Sequence, residues 1–498
     1  MLWKETGAAS KRGAAVPVYC LVIMISATVA LSLLTGFGVQ EGGKPEVTVQ
    51  RFAHAATCPV RCKTCAPAIA RALDFLARNM KSEGLEAGNG GDVVVTCIAG
   101  LAFMANGVHA DKVEKAAQFV AKRVGEKSRV RTAAGEELEG FGNWDLAFAG
   151  LFLAEVYAAR PTPDLEKKLR VIAQKICEQR QENGGWGHAK DYAYGDLVVV
   201  TNACLAALGA MKMVRIPVPD DVITKGVKYL ESTSDGGVVG YSPRAGQRGW
   251  GHAGRASGAA YAMLRCGATG AYYKRVAAFV KSNVKTVPQD HASPTLHYLM
   301  SGLFTYMLGL EAWRDYRTHY LDLWLSAQKD DGRFQCPTES DLEARGDKDM
   351  DEAVGANYMT AVFALVYALP LERTNLTRTS LRGGRAPKPE KPVPTAADVP
   401  KEPTNAYLGL VVRESRFGLT VASVEPGSPG DAAGFRIDAV IVEVNGRTVK
   451  DPASLRDALN AIKPGTKATF TVADEGERKT LTATPVKRAK PAESAEEF

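Results

Sequence analysis

The residues best suited to chemistry lie together shortly before the first predicted domain. His54 precedes three cysteines, Cys58, Cys62 and Cys65, which are separated by three and then two residues. Thiolates and an imidazole suit a structural zinc ion. Outside the cytoplasm a disulfide between two of the three cysteines explains the cluster equally well. Unpaired thiols are the third interpretation, so the sequence gives a candidate zinc site and leaves these states open.

A second set of candidates surrounds a repeated tetrapeptide. The sequence Gly-Trp-Gly-His ends at His188 and again at His252. If both rings enter one pocket, three polar residues lie close enough in sequence to join them: Asp191, Tyr194 and Arg255. Two imidazoles and a carboxylate can bind a divalent metal or perform acid and base chemistry. A histidine in a repeated loop is more often a structural hydrogen-bonding residue, so both interpretations stay open.

Other acidic residues have a structural explanation. Three aspartates stand directly before apolar runs, where a side-chain oxygen can cap a helix N-terminus: Asp92, Asp145 and Asp196. The charged segment 347–352 contains a lysine, which favours ionised carboxylates, and is interpreted as a solvated connector. We therefore assign structural roles to these positions.

Between residues 66 and 371 the chain repeats a two-part unit of roughly fifty residues. One part is amphipathic, as in residues 111–124, where apolar residues recur at helical spacing and lysines cover the other face. The other part is apolar on all sides, as in residues 92–104, and such a helix must be enclosed by others. Six apolar runs begin near Asp92, Asp145, Asp196, Ala256, Thr295 and Ala356. Six apolar helices within six amphipathic ones predict an all-α domain, an α6/α6 toroid.

The glycine-rich loops of these repeats resemble the motifs of the terpenoid cyclase and protein prenyltransferase superfamily. In that family a Gln followed by Gly-x-Trp marks each helix pair; residues 328–334 keep this spacing with Phe for Trp, and residues 181–186 are one residue shorter. The resemblance implies a squalene cyclase-like toroid in which an aromatic packs between neighbouring helix pairs. It does not extend to the catalytic motifs: the segment 347–352 has the wrong spacing for the cyclase Asp-x-Asp-Asp acid, and the prenyltransferase zinc motif has no counterpart.

The N-terminal residues form a targeting signal. Residues 13–40 contain no charged residue, and Lys4, Lys11 and Arg12 precede them. This pattern predicts a cytoplasmic N-terminus at 1–16, a transmembrane signal anchor at 17–39 and a cysteine-containing connector at 40–65, with the bulk of the chain extracytoplasmic, and periplasmic in a bacterium. A cleaved signal peptide that yields a secreted protein is the alternative, although no Ala-x-Ala site follows the apolar run.

The composition changes after residue 371. Prolines alternate with charged residues over 372–404, which predicts an extended linker. Residues 405–485 then alternate in polarity as short strands, with a hairpin turn at Asn445-Gly446 and a helix at about 452–462 that Asp451 caps. These features predict a small, mostly β domain, followed by a tail at 486–498.

This β domain resembles the PDZ domains of bacterial periplasmic proteases. Residues 407–410 match the family's carboxylate-binding loop, and residues 424–434 and 444–446 match its other signatures, although Asp438-Ala439 replaces the family's Gly-Asp. The resemblance implies a groove in which a peptide C-terminus adds a strand to the sheet edge. The residues assigned to this groove are Tyr407, Leu408, Gly409, Leu410, Leu455 and Leu459. No protease motif or recognisable catalytic triad accompanies the domain.

Composition excludes some functions. A chain of 498 residues with 46% hydrophobic residues is not disordered, and a net charge of +7 is too dilute to indicate nucleic acid binding. We therefore predict a membrane-anchored extracytoplasmic scaffold whose PDZ domain captures peptide C-termini and whose toroid is a binding platform. No cofactor is predicted beyond the candidate zinc. The alternative is an enzyme at the toroid mouth, which requires His188 and His252 to converge with Asp191 or Asp196.

Overall fold

A computed structural model describes residues 52, 54, 62–88, 92–124, 128–131, 137–140, 142–190, 195–244, 253–289, 293–335, 351, 354–379, 406–415, 418–437, 439–474 and 477–487. The predicted anchor at 17–39 and most of the linker and tail lie outside these residues. Within the described part of the chain, no helix is both long enough and apolar enough to cross a bilayer.

In the described part of the helical domain, twelve helices alternate between an outer and an inner position. In chain order they are α1 (Cys65–Asn79), α2 (Asp92–Asn106), α3 (Ala110–Arg123), α4 (Asn143–Ala159), α5 (Pro163–Glu178), α6 (Val198–Met213), α7 (Asp220–Ser232), α8 (Ala253–Arg265), α9 (Ala271–Ser282), α10 (Pro294–Leu308), α11 (Leu310–Ser326) and α12 (Ala356–Ala368). Two short hairpins lie between them: β1 (Ser128–Arg131) with β2 (Glu137–Gly140), and β3 (Ser234–Asp235) with β4 (Val238–Val239).

The even-numbered helices form a closed ring. Each packs against the next inner helix along the chain, and α12 packs against α2. Their side chains are buried on nearly all sides because the outer helices cover them. Small residues allow close packing: a Cβ atom at Gly100 of α2 would lie 2.5 Å from the ring of Phe152 in α4. The inner helices begin within three residues of the predicted positions, so the predicted helical toroid is confirmed.

Local sequence signals end and begin several helices. α2, α6 and α8 each end with a left-handed residue, Gly107, Arg215 or Gly267, and the next N–H bonds to the carbonyl five residues earlier. Ser293 caps α10, whose first residue is Pro294. The capping role predicted for Asp145 and Asp196 is wrong. Gly142 and Leu197 occupy the N-cap positions of α4 and α6, and no side-chain cap forms there.

Three of the loops that enter the inner helices, those before α2, α6 and α12, share one contact. The N–H of a buried apolar loop residue donates to a buried threonine hydroxyl in the following inner helix: Leu85 to Thr96 at 2.8 Å, Trp186 to Thr201 at 3.0 Å and Phe334 to Thr360 at 2.9 Å. Trp186 is fully buried and its indole N–H donates to the carbonyl of Ile176 in α5. The predicted packing of an aromatic between helix pairs is therefore confirmed for Trp186.

The junction of the last and first repeats is built like an internal one. Gly184, at φ 100°, approaches the next outer helix so closely that a Cβ would lie 2.4 Å from the carbonyl oxygen of Lys225 in α7. Gly332, at φ 97°, approaches the carbonyl oxygen of Arg71 in α1 in the same way, at 2.3 Å. Gln328 also donates to the carbonyl of Ala68 at 2.8 Å. The first outer helix therefore packs against the last loop as a following repeat would, and we call this junction the ring seam.

The chain after α12 closes one end of the ring. Residues 374–377 are buried, although the linker was predicted to begin at 372. The backbone N–H of Asn375 donates to the buried carboxylate of Glu155 at 2.7 Å, and Arg265 donates to the Asn375 carbonyl at 2.6 Å. Tyr261 donates to the carbonyl of Leu376 at 2.9 Å. The helical domain therefore continues through this segment, which we call the end plug.

The C-terminal domain is a single antiparallel sheet with short helices. Its strands are β5 (Leu410–Ser415), β6 (Gly418–Val424), β7 (Val440–Val444), β8 (Arg447–Thr448), β9 (Ala468–Asp474) and β10 (Glu477–Ala483); its helices are α13 (Pro429–Ala432) and α14 (Pro452–Asn460). The strand order is β10-β9-β7-β6-β5, with β8 paired to β7. Asn445 and Gly446 have positive φ, as the predicted hairpin turn requires. Asp451 caps α14 in a capping box with Ser454, which confirms the predicted cap.

Candidate functional site

The edge strand β5 lies beside helix α14, where the sequence predicts a peptide-binding groove. β5 ends the sheet order and contacts α14. The four predicted groove leucines belong to one apolar cluster, in which Leu408, Leu455 and Leu459 are buried and Leu410 is partly buried. Leu410 lies at the partly exposed margin of this cluster, so an apolar side chain placed beside it would contact apolar atoms.

The loop before β5 is held by its own backbone. The carbonyl of Leu408 accepts from the N–H of Gly430, and the carbonyl of Gly409 accepts from the N–H of Glu425, both at 2.8 Å. In a trans peptide the C=O and the next N–H point in opposite directions. The N–H groups of Gly409 and Leu410 are therefore directed away from the segment 425–430.

The pairing of β5 with β6 gives the same direction for Leu410. Leu410 lies opposite Val424, and the Glu425-to-Gly409 hydrogen bond flanks this pair. Such a flanking bond marks a non-hydrogen-bonded pair, whose own N–H and C=O point away from the partner strand. Leu410 therefore presents both groups to the open edge of the sheet, where an added strand would bond.

Gly409 is required by the shape of this loop. Its φ is 73°, and a Cβ atom there would lie 2.2 Å from Cβ of Ser428. Tyr407 fixes the other end, because its N–H and carbonyl pair with the carbonyl and N–H of Val486 at 2.7 and 3.0 Å. The Tyr407 hydroxyl donates to the carboxylate of Glu425.

In the toroid, His188 lies in the loop between α5 and α6 and packs against the first residues of α4. Its Nδ1 accepts a hydrogen bond from the indole N–H of Trp144 at 3.0 Å, and burial lowers the pKa of His188. The side chain of Asn143 donates to the carbonyl of Gly187 at 2.8 Å. The His188 loop is thus fastened to α4, and burial disfavours the charged form of the His188 ring. Trp144 lies 44 residues before His188, so no local sequence pattern indicates this contact.

The predicted convergence of the two histidines involves residues outside the described ones. His252, Asp191 and Tyr194 all lie there. Arg255 is buried in α8, with its guanidinium carbon 5.1 Å from the ring centroid of Tyr241. Asp196 accepts from the side-chain amide of Asn183 at 2.6 Å.

Two aspartates at this end of the ring have unexpected surroundings. Burial and the charge of Asp92 raise the pKa of Asp145 to about 6, against an opposing effect of Arg123. Asp351 is fully buried and accepts from the N–H and hydroxyl of Thr295 at 3.0 and 2.7 Å. The interpretation of segment 347–352 as a solvated connector is therefore wrong for Asp351.

The cysteine cluster is compact in the structure. Nδ1 of His54 lies 3.7 Å from Sγ of Cys62 and 3.5 Å from Sγ of Cys65. The three ligand atoms all lie within 4.8 Å of one another, and both cysteines are fully buried. Cys58, the fourth predicted member, lies outside the described residues. Among the cysteines that the structure describes, no disulfide is formed.

A distant carboxylate completes the surroundings of His54. Nε2 of His54 lies 2.6 Å from Oδ1 of Asp322 in α11. Burial alone would lower the pKa of His54, but hydrogen bonds to Asp322 and Cys62 and the charge of Cys65 raise it to about 9. Elsewhere in the toroid, burial raises the pKa of the Cys97 and Cys204 thiols well above the ordinary thiol value.

Two family models match the chain. The model described as domain of unknown function (DUF6288) matches residues 66–377, and the PDZ domain model matches residues 406–484. The matched DUF6288 range includes the end plug. Residues 406–484 therefore form a PDZ domain, as the sequence predicted.

Curated relatives match at the PDZ end. The serine protease Do-like HtrB of Bacillus subtilis is 34% identical over 99 residues, which cover 20% of this chain and 22% of the relative. A probable periplasmic DegP-like serine endoprotease of Chlamydia trachomatis is 35% identical over 76 residues, 15% of each protein. The chain thus spans less than a quarter of either relative.

Solved structures resemble the toroid. The type II terpene cyclase MstE from Scytonema is 16% identical, with 61% of this chain and 98% of the cyclase covered and a TM-score of 0.40. An inactive variant of an α-1,6-mannanase from a Salegentibacter species is 10% identical, with 61% and 98% covered and a TM-score of 0.46.

Proposed function

The chain belongs to the DUF6288 family, and we propose that it is an extracytoplasmic scaffold whose PDZ domain captures the C-terminal carboxylate of a partner protein. The toroid provides a second binding platform, and the segment 17–39 anchors the chain in the membrane. No nucleic acid takes part.

The outward-facing backbone of the carboxylate loop carries this proposal. The Gly409 and Leu410 N–H groups point away from residues 425–430, beside an apolar cluster and an open strand edge. A peptide C-terminus needs these three elements: N–H donors for its carboxylate, a pocket for its last side chain and an edge for its backbone. Because the pocket is lined by leucines, we expect an apolar last residue.

The location is proposed from the chain itself and its relatives. Residues 13–40 carry no charge and follow three basic residues, which favours export of everything downstream. The DegP-like relative of the PDZ domain is described as periplasmic. A periplasmic location for the folded domains is consistent with both observations.

Several polar groups at the toroid mouth have structural roles, which favours a platform over an enzyme. His188 accepts from Trp144, and Asp351 holds Thr295 at the start of α10. Asp145 favours the competing enzyme function, since a carboxyl group with a pKa near 6 can donate or accept a proton near neutral pH.

Peptide capture by the full chain tests the proposal. A pool of short synthetic peptides with random sequence would be made twice, with a free C-terminal carboxylate and with an amide. We expect retention of free-acid peptides with apolar last residues, recovered intact by mass spectrometry, and little retention of amides. Equal retention of both pools would contradict carboxylate capture, and shortened peptides would favour the enzyme.

A further inference from the structure

We propose that His54, Cys62 and Cys65 bind a zinc ion that fastens the N-terminal connector and α1 to the last outer helix, α11, at the ring seam. This site is independent of peptide capture. The ligand atoms are Nδ1 of His54 and the two Sγ atoms.

The distances among these atoms match a tetrahedral zinc site. With zinc-to-nitrogen and zinc-to-sulfur distances of roughly 2.0 and 2.3 Å, a tetrahedral angle separates a nitrogen and a sulfur ligand by about 3.5 Å. The observed separations from Nδ1 of His54 are 3.7 Å to Cys62 and 3.5 Å to Cys65.

Asp322 sets the orientation of the imidazole. A metal at Nδ1 leaves the proton on Nε2, which lies 2.6 Å from a carboxylate oxygen of Asp322. A carboxylate that accepts from the second nitrogen of a metal-bound histidine fixes its tautomer and increases its basicity. His54 thus has a thiolate pair on one ring nitrogen and a carboxylate on the other.

The chemistry of the donors favours zinc. Two thiolates and an imidazole suit this borderline-soft ion better than calcium or magnesium, which prefer oxygen ligands. Both cysteines are fully buried, as in structural sites. The alternative state, a disulfide, would withdraw sulfur ligands from the cluster.

The position of the site explains what the ion would stabilise. Cys65 is the first residue of α1, and Asp322 lies near the end of α11. These helices meet at the ring seam, where Gln328 and Gly332 also contact α1. The seam joins segments far apart in sequence, since His54 and Asp322 are separated by 268 residues. A metal bound only in the folded state stabilises this junction by mass action.

Metal analysis of the full chain tests the site. Protein purified without chelators is expected to contain about one zinc ion per chain. Cys65→Ser and His54→Ala should lose it. The controls Cys177→Ser, on α5, and His319→Ala, exposed on α11, should retain it.

A second measurement guards against variants that fail to fold. Wild-type protein reloaded with cobalt should show the intense visible absorption of a tetrahedral cobalt thiolate centre. Chelation should increase amide hydrogen exchange in α1 and α11 and leave the PDZ domain unchanged. Three results would each overturn the proposal. They are wild-type protein that shows neither zinc nor cobalt absorption, a mapped disulfide at Cys62 or Cys65, and full zinc content in Cys65→Ser.

Discussion

Nε2 of His54 and Oδ1 of Asp322 lie 2.6 Å apart across the seam of the helical ring. The histidine belongs to the connector before α1, and the aspartate belongs to the last outer helix. This contact joins the two ends of the toroid directly. It also places a hydrogen-bond-accepting carboxylate next to the cluster of His54, Cys62 and Cys65.

Replacing this aspartate should weaken metal binding without abolishing it. For Asp322→Asn we expect zinc affinity to fall about 10- to 100-fold, because the imidazole loses the carboxylate that orients it. Competition with a chromophoric chelator would measure the change. Asp330→Asn removes an exposed carboxylate just after α11 and should leave the affinity unchanged. Equal losses in both variants would show that Asp322 has no specific role.

Asp145 should make the stability of the toroid depend on pH. Its pKa is about 6 in the folded protein, above the ordinary value of 3.8, so the folded state holds the proton more tightly than the unfolded state. The resulting stabilisation is fully present below about pH 4 and is lost as the pH rises through about 6. Arg123 and Asp92 are the charged groups that act on it.

Asp145→Asn tests this directly. At pH 7 the ionised carboxylate costs at most about 3 kcal/mol, because folding raises its pKa from 3.8 to about 6 and each tenfold change in proton affinity corresponds to about 1.4 kcal/mol. The variant should therefore be more stable than wild type at pH 7 in urea unfolding, and the difference should shrink near pH 4. Asp330→Asn serves as the exposed control. A variant that is less stable at pH 7 would mean that the attraction to Arg123 dominates.

The end plug should depend on Glu155. This buried carboxylate accepts from the N–H and side-chain amide of Asn375 and faces the buried charge of Arg265. Glu155→Ala leaves that charge without compensation, so we expect a loss of about 3 kcal/mol in the free energy of unfolding. Glu182→Ala, at an exposed position, should change it by less than about 0.5 kcal/mol. A loss below 1 kcal/mol in Glu155→Ala would show that the plug is not held by this carboxylate.

Much of the helical fold is readable from the sequence. The inner helices are continuous apolar runs and the outer ones are amphipathic, so periodicity locates both. The ring closure is harder to predict from the sequence, because the contact of α12 with α2 joins residues about 250 or more positions apart. The threonine that receives each loop N–H also has no sequence signal, since a buried threonine in an apolar helix resembles any other small residue.

The candidate sites likewise contain residues that a local motif predicts and residues that only the folded chain brings near. The groove residues around Gly409 are contiguous in a recognisable motif, whereas Asp322 contributes to the His54 cluster from a helix with no local link to it. The predicted roles of Asp145 and Asp351 are wrong, because local charge patterns do not reveal that Asp145 is half-buried and Asp351 fully buried.

Carboxylate capture is tested most directly by titrating the full chain with one fluorescent free-acid peptide from the capture experiment and with its amide. Wild type should bind the acid at least about tenfold more tightly, because the amide lacks the charge that the loop N–H groups stabilise. Gly409→Ala should lose this preference, since its Cβ would meet Ser428. Gly427→Ala is the matched control, because Gly427 has the same φ of 73° and nothing within 4 Å of an added Cβ. Equal affinity of wild type for acid and amide, or equal losses in both glycine variants, would contradict capture of a peptide C-terminus at this loop.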